Sequence, residues 1–258
     1  MKRSAVFPAF FIFLFSLLCL RAQAQLKPVA YNDGLQALGG LLLQPAKNAS
    51  GAGVLILPAW MGIDKHSRTV AQRLGDLGYT AFIADIYGKG NEPRSRSEAG
   101  ERSSYYKSHI EAYHRRIRLA LEQLVKAGAD PDRIVVIGYC FGGLGAIEAA
   151  RANMPVRGVV SFHGSYGRDT LRKIEPIKPS ILVLHGADDP YSSAAEIGSM
   201  QEEFRRAGAD WQMVWYGNAV HAFTEPSAGN DNSKGAAYNA LADKRSWQAL
   251  LAFLEAIL

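Results

Sequence analysis

The stretch Arg133-Ile134-Val135-Val136-Ile137-Gly138-Tyr139-Cys140-Phe141-Gly142-Gly143-Leu144 decides how this chain folds. A short β-branched apolar run enters a glycine-rich bend, and Leu144 to Ala152 then takes on helical composition and spacing. Gly138-Tyr139-Cys140-Phe141-Gly142 places a nucleophilic side chain on a sharp strand-to-helix turn. Side chains two residues before and after the centre of such a turn collide, so glycine stands at both places, and Gly143 adds room for the helix to approach. The turn lifts the Cys140 sulfur above the carboxyl edge of a sheet, at a helix start. The positive end of the helix favours negative charge there and lowers a thiol pKa. Two plainer readings compete: an inert buried cysteine in a glycine-rich turn, or a dinucleotide loop. The second would want G-x-G-x-x-G after the first strand, and this segment lies past mid-chain without that spacing.

Working outward, apolar runs alternate with amphipathic stretches. Val54–Leu57, Thr80–Ala84, Val156–Phe162, Ser180–Leu184 and Trp211–Tyr216 read as strands like Arg133–Ile137. Ser67–Leu77, Tyr105–Ala127, Leu144–Ala152, Ala194–Ala207 and Ser233–Ile257 read as helices. Gly88 to Ser104, rich in Gly, Pro and Ser, reads as a loop, and Leu35–Leu43 as an antiparallel edge strand. Near-continuous apolar strands between helices predict a mostly parallel sheet covered on both faces. With the elbow, that pattern predicts the α/β-hydrolase fold in a single domain over 25–258. A hydrophobic share of 48% is enough for a large core.

The first 24 residues read as a secretory signal peptide: Lys2 and Arg3, an apolar run from Ala5 to Leu20, then Ala22-Gln23-Ala24 as a cleavage site. The expected product is exported, periplasmic or secreted, without a stable membrane span; an uncleaved anchor is the alternative. The signal carries Lys2, Arg3 and Arg21, so its removal reduces the 29 basic residues to 26 against 24 acidic ones. That near-balance gives no basic face for nucleic acid. Of the two cysteines, Cys19 lies in the signal, so Cys140 has no internal disulfide partner. A lone thiol in an oxidising compartment is either buried and inert or kept for chemistry.

In this fold the nucleophile is followed by the acid and then the histidine. His66, His109 and His114 precede Cys140; His163 and His185 lie before or within the stretch that must supply the acid. His221, in Asn218-Ala219-Val220-His221-Ala222-Phe223 after the last strand, is the expected base, with His163 as rival. His185-Gly186-Ala187-Asp188-Asp189-Pro190 offers two acids. The H-G-x-x-D spacing selects Asp189 and leaves Asp188 to the turn. Trp60, Tyr87, Tyr139 and Phe223 suggest an apolar pocket, although core packing explains such aromatics equally well.

With these pieces placed, the chain resembles the dienelactone hydrolase family. The resemblance rests on Gly138-Tyr139-Cys140-Phe141-Gly142-Gly143, His185-Gly186-Ala187-Asp188-Asp189-Pro190, His221-Ala222-Phe223, Ala84-Asp85-Ile86-Tyr87-Gly88 and Ala237-Tyr238-Asn239. It implies a Cys140–Asp189–His221 triad, hydrolysis of cyclic or enol-type esters, and an oxyanion hole from the backbone N–H groups of Trp60 and Phe141. It also implies substrate contacts near Tyr87, Lys89 and Phe223. Departures accompany it. The family's Glu beside the thiol is Ala59 here. Of its two carboxylate-binding Arg, one falls at Lys89, which keeps the charge, and the other near Thr224 or Glu225. The expected partner is a small ester or lactone and the expected assembly a monomer or small homo-oligomer. Other readings are a thiol-dependent acyltransferase or peptidase on this fold, or a non-catalytic binding protein. No cofactor is expected and no metal, since His109 and His114 lie five apart and no Cys/His cluster has ligand spacing.

Overall fold

The computed structural model describes residues 25–47 and 49–258, so the expected signal peptide lies outside the described residues. Eight strands form one sheet: β1 (Lys27–Asp33), β2 (Gln36–Leu43), β3 (Gly53–Leu57), β4 (Thr80–Ile83), β5 (Ile134–Tyr139), β6 (Gly158–Phe162), β7 (Ser180–Gly186) and β8 (Trp211–Tyr216). Their spatial order is β1-β2-β4-β3-β5-β6-β7-β8. β2 pairs antiparallel with β1 and β4, and the other neighbours run parallel. The mostly parallel sheet predicted above is therefore what forms. β2 is antiparallel as expected but is not the edge. β1 covers it, pairing Asp33 with Gln36 across a tight turn at Gly34, whose φ is +59°. β1 escaped notice because Lys, Pro, Asn and Asp flank its few apolar residues.

Six helices cover the sheet: α1 (Lys65–Asp76), α2 (Arg96–Ser108), α3 (Ile110–Lys126), α4 (Phe141–Arg151), α5 (Ala194–Arg206) and α6 (Ala240–Ile257). The strands are apolar on consecutive positions because both faces are buried. In β5, Ile134 and Val136 join the cluster under α3, α4 and α5, while Val135 and Ile137 join the one under α1 and α6.

Two helix boundaries differ from expectation. Residues 96–104 form most of α2 rather than a loop. The helix starts where the Ser95 side chain accepts from the Glu98 N–H, and it buries only Ala99, Ser103 and Tyr106, so no apolar stripe advertises it. It does not run into α3: Ser108 Oγ donates toward the Ser104 and Tyr105 carbonyls, and His109 at φ −117°, ψ 65° breaks the path. Residues 233–239 form a short 3-10 turn and an extended segment, and α6 begins at Ala240 with Asn239 as its cap.

Parallel pairing brings the carboxyl ends of four strands to one edge: Tyr139 opposite Phe162, Phe162 opposite Leu184, Gly186 opposite Tyr216. Under α4 lies a buried ionic lattice. Glu148, 1% exposed, accepts from His114 Nε2 at 2.9 Å, Arg151 Nη1 at 2.8 Å and Arg172 Nη1 at 2.8 Å. Arg151 also makes a two-pronged contact with Glu203 at 3.0 and 2.7 Å, tying α4 to α5.

Candidate active site

Cys140 caps α4 at φ +54°, ψ −113°. A side chain in that region is strained, and only a tightly packed turn holds it there. The flanking glycines are obligatory for a visible reason. A Cβ on Gly138 would strike the Gly142 carbonyl, and one on Gly142 would strike the Leu57 carbonyl, both rigid backbone. One on Gly143 would meet Ser161 Oγ and Gly164 Cα at 2.8 Å, so that glycine makes room for the β6 loop. Gly142→Ala is expected to lower stability by about 1–3 kcal/mol, the range for overpacking. It would also displace the thiol. Denaturant midpoints and the rate of Cys140 alkylation check both effects, and an unchanged midpoint would refute the steric account.

His221 leaves β8 on a loop whose backbone is pinned from the C-terminal side. Its N–H donates to the Gly235 carbonyl at 3.2 Å and its carbonyl accepts from Ala237 at 3.0 Å. This pairing explains why the chain before α6 is extended. His221 Nδ1 lies 2.8 Å from Asp189 Oδ2. Asp189 is buried, and its other oxygen accepts from the Tyr191 N–H at 2.9 Å. Asp188 is exposed, its N–H donating to the Ala219 carbonyl at 3.0 Å. Of the two acids, Asp189 is the one that faces the imidazole.

The electrostatics of the pair are reciprocal. Burial opposes the Cys140 thiolate, yet the hydrogen bond and charge of His221, the Phe141 N–H and the charge of Lys107 together hold the thiol below its ordinary value. Burial likewise opposes the His221 imidazolium, but hydrogen bonds to Asp189 and Cys140, and their charges, lift it to about 10. Each shift thus favours the charged form of its own group, and each group supports the other's charge. In the loop after β3 no carboxylate stands at position 59; Ala59 there supplies a carbonyl to the Gly62 N–H at 2.9 Å.

The Trp60 and Phe141 N–H groups donate to no backbone carbonyl among the described residues. The Trp60 carbonyl is held at 2.7 Å by the Tyr87 hydroxyl, and the Tyr87 ring stacks on Phe141 at 5.9 Å. Tyr87, buried, thus braces both donors rather than presenting its hydroxyl to a ligand. Of the other two expected substrate contacts, one is sealed in the core and one is exposed. Phe223 is fully buried in the core, in the turn that follows His221, with its ring against Tyr216 and His163. The Lys89 stem lies along Gly39 of β2, and its terminus is exposed. Two neighbours were missed. Lys107 lies in the last turn of α2, a helix whose course the sequence hid, and Tyr191 meets the His221 ring edge-on at 5.2 Å while 59% exposed. Proximity of Tyr191 to the acid loop, two residues after Asp189, was the available signal. Among the described residues no group of His, Cys, Asp and Glu could hold a metal ion, and no helix is long and apolar enough to cross a membrane.

Sheet order, elbow and histidine loop define an α/β-hydrolase. More narrowly, the chain belongs to the dienelactone hydrolase family, whose model matches residues 38–258. A solved structure named as a dienelactone hydrolase-like promiscuous phosphotriesterase from metagenomic libraries is 33% identical, with TM-score 0.85, covering 91% of this chain and 99% of that one. Another, named m3DLH, is 32% identical with TM-score 0.86, covering 92% and 99%. A Yersinia pestis protein named as a candidate carboxymethylenebutenolidase is 24% identical over 213 residues, 77% of this chain and 75% of the relative.

Proposed function

We propose that the chain hydrolyses a carboxylic ester or lactone with Cys140 as nucleophile, His221 as acid and base, and Asp189 as the group that aligns His221. The observation that carries this is the Cys140 thiol on its strained elbow, close enough for its charge to couple to the imidazole that Asp189 holds at 2.8 Å. The thiolate attacks the ester carbonyl, and the oxyanion that forms is taken up by the Trp60 and Phe141 N–H groups. The His221 imidazolium gives its proton to the departing alkoxide, leaving a thioester and a neutral imidazole. Water then attacks the thioester, His221 takes its proton, and collapse expels the thiolate with the acid product. Each oxyanion donor contributes ~10²–10³ in rate.

The test uses the protein spanning residues 25–258 with p-nitrophenyl esters and a panel of lactones. Turnover should be abolished by iodoacetamide, and intact mass after brief mixing should show a thioester on Cys140; turnover that survives alkylation would refute the reading. The pH dependence has a definite sign. A lowered thiol keeps its thiolate to a pH below the ordinary 9.0 and loses it only on further acidification. A raised imidazole keeps its proton until pH passes about 10. Hydrolysis should therefore show an acid limb set by the thiol and an alkaline limb near pH 10, where the leaving group loses its acid. A single limb near pH 6.5 would mean an unpaired neutral histidine.

The phosphotriesterase name of one relative favours a second substrate class. A thiolate in this setting can also attack a phosphotriester, and paraoxon belongs in the same panel. Export by residues 1–24 is part of the proposal. N-terminal sequencing of the secreted or periplasmic product should begin at Gln25.

A further inference from the structure

His163 directly follows β6, its N–H donating to the Leu184 carbonyl at 2.9 Å. It is 2% exposed and sits at φ +39°, a conformation that side chains avoid. Its Nε2 lies 2.8 Å from Thr224 Oγ1, and Thr224 is itself 2% exposed. Its Nδ1 is buried and has no partner among the described residues. The ring meets His221 edge-on at 5.2 Å and Phe223 edge-on at 5.1 Å. The charged or titratable groups whose fields reach it are His221, His66 and His185, and His66 in turn faces Glu225 at 3.8 Å. Burial first, and then those imidazoles, keep His163 neutral.

One hydrogen bond to Asp189 fixes His221 Nδ1 but leaves the ring free to swing about that contact. Two rings limit the swing, Tyr191 and His163. Tyr191 is 59% exposed and can yield, whereas His163 is sealed and bonded to the residue three places after His221 on the same loop. We propose that the buried His163–Thr224 pair is a positioning element that holds the His221 ring plane toward Cys140. The role rests on the reading of Cys140 as nucleophile. A neutral ring is required, since a second imidazolium at this distance would repel the first.

The experiment measures Cys140 carbamidomethylation by iodoacetamide against pH, read by intact mass, in the wild type, His163→Phe, Thr224→Val and Thr224→Ser, with thermal melts alongside. Wild type should show a thiolate midpoint below 9.0. His163→Phe and Thr224→Val should raise that midpoint by about one unit and slow alkylation at pH 6.5 about tenfold, while Thr224→Ser restores the wild-type profile. In ester turnover the two damaging variants should lose kcat with little change in KM. Thr224→Val leaves the strained backbone of His163 untouched, so it decides the matter even if His163→Phe does not fold. A folded Thr224→Val variant with an unchanged midpoint would overturn the positioning role alone. A wild-type midpoint at 9.0 or above would overturn the coupling of the two charges, and the positioning role with it.

Discussion

Replacing Cys140 by alanine is expected to cut kcat for ester hydrolysis by roughly 10⁴–10⁶, the loss seen when one member of a cooperating nucleophile–base set is removed. The fold should survive. Alanine is shorter than cysteine, keeps the same backbone requirement at φ +54°, and removes a group that is only partly buried. Removal of the thiolate also takes away two of the contributions that lift His221, so its titration should fall toward the ordinary imidazole range. A Cys140→Ala protein with wild-type melting behaviour and wild-type turnover would exclude the thioester route. Cys140→Ser is the companion. A hydroxyl resists ionisation far more than a thiol, so the mutual support of the two charges should vanish and the alkaline limb near pH 10 with it.

Glu148→Ala should produce the largest loss of stability outside the active centre. The carboxylate serves three donors in a site that is 1% exposed, and those donors, with Arg151 and Arg172 charged, hold it down to about 2 against the pull of burial. Removing one partner of a buried ionic cluster costs about 3–5 kcal/mol, because the remaining charges stay buried without compensation. For a domain of this size that amounts to a melting temperature lower by about 10 °C. The sign with pH is fixed: a depressed carboxyl stabilises at all pH above its ordinary 4.5 and loses that contribution only as pH falls through about 2. The difference between wild type and Glu148→Ala should therefore shrink only in strong acid. A loss below about 1 kcal/mol by denaturant unfolding would show that the lattice is incidental.

How much of this was readable beforehand depended on whether the cause was local. The elbow was legible because one of its collisions is local, a side chain on Gly138 meeting the Gly142 carbonyl four residues on, whereas the collision of Gly142 with Leu57 emerges only in the fold. The strands were legible because burial on both faces writes an unbroken apolar run, as in β3 and β5. The order of acid and histidine followed from topology, which puts the ends of β7 and β8 on the same edge of the sheet as the bend after β5. What stayed hidden depends on distant partners. α2 carries no apolar stripe, so Lys107 could not be placed near the thiol. Phe223 turns inward only because His163 and Tyr216 wait there, and the lattice around Glu148 joins α3, α4, α5 and a loop that no spacing rule connects.

The pinning of the His221 backbone by Gly235 and Ala237 has a consequence for biosynthesis. A ribosome delivers the sulfur and the carboxylate well before the segment that seats the imidazole. A polypeptide released short of residue 235 would lack the segment that seats the imidazole, and on the mechanism proposed above its sulfur is expected to alkylate no faster than an ordinary thiol, a difference that labelling of truncated chains would show.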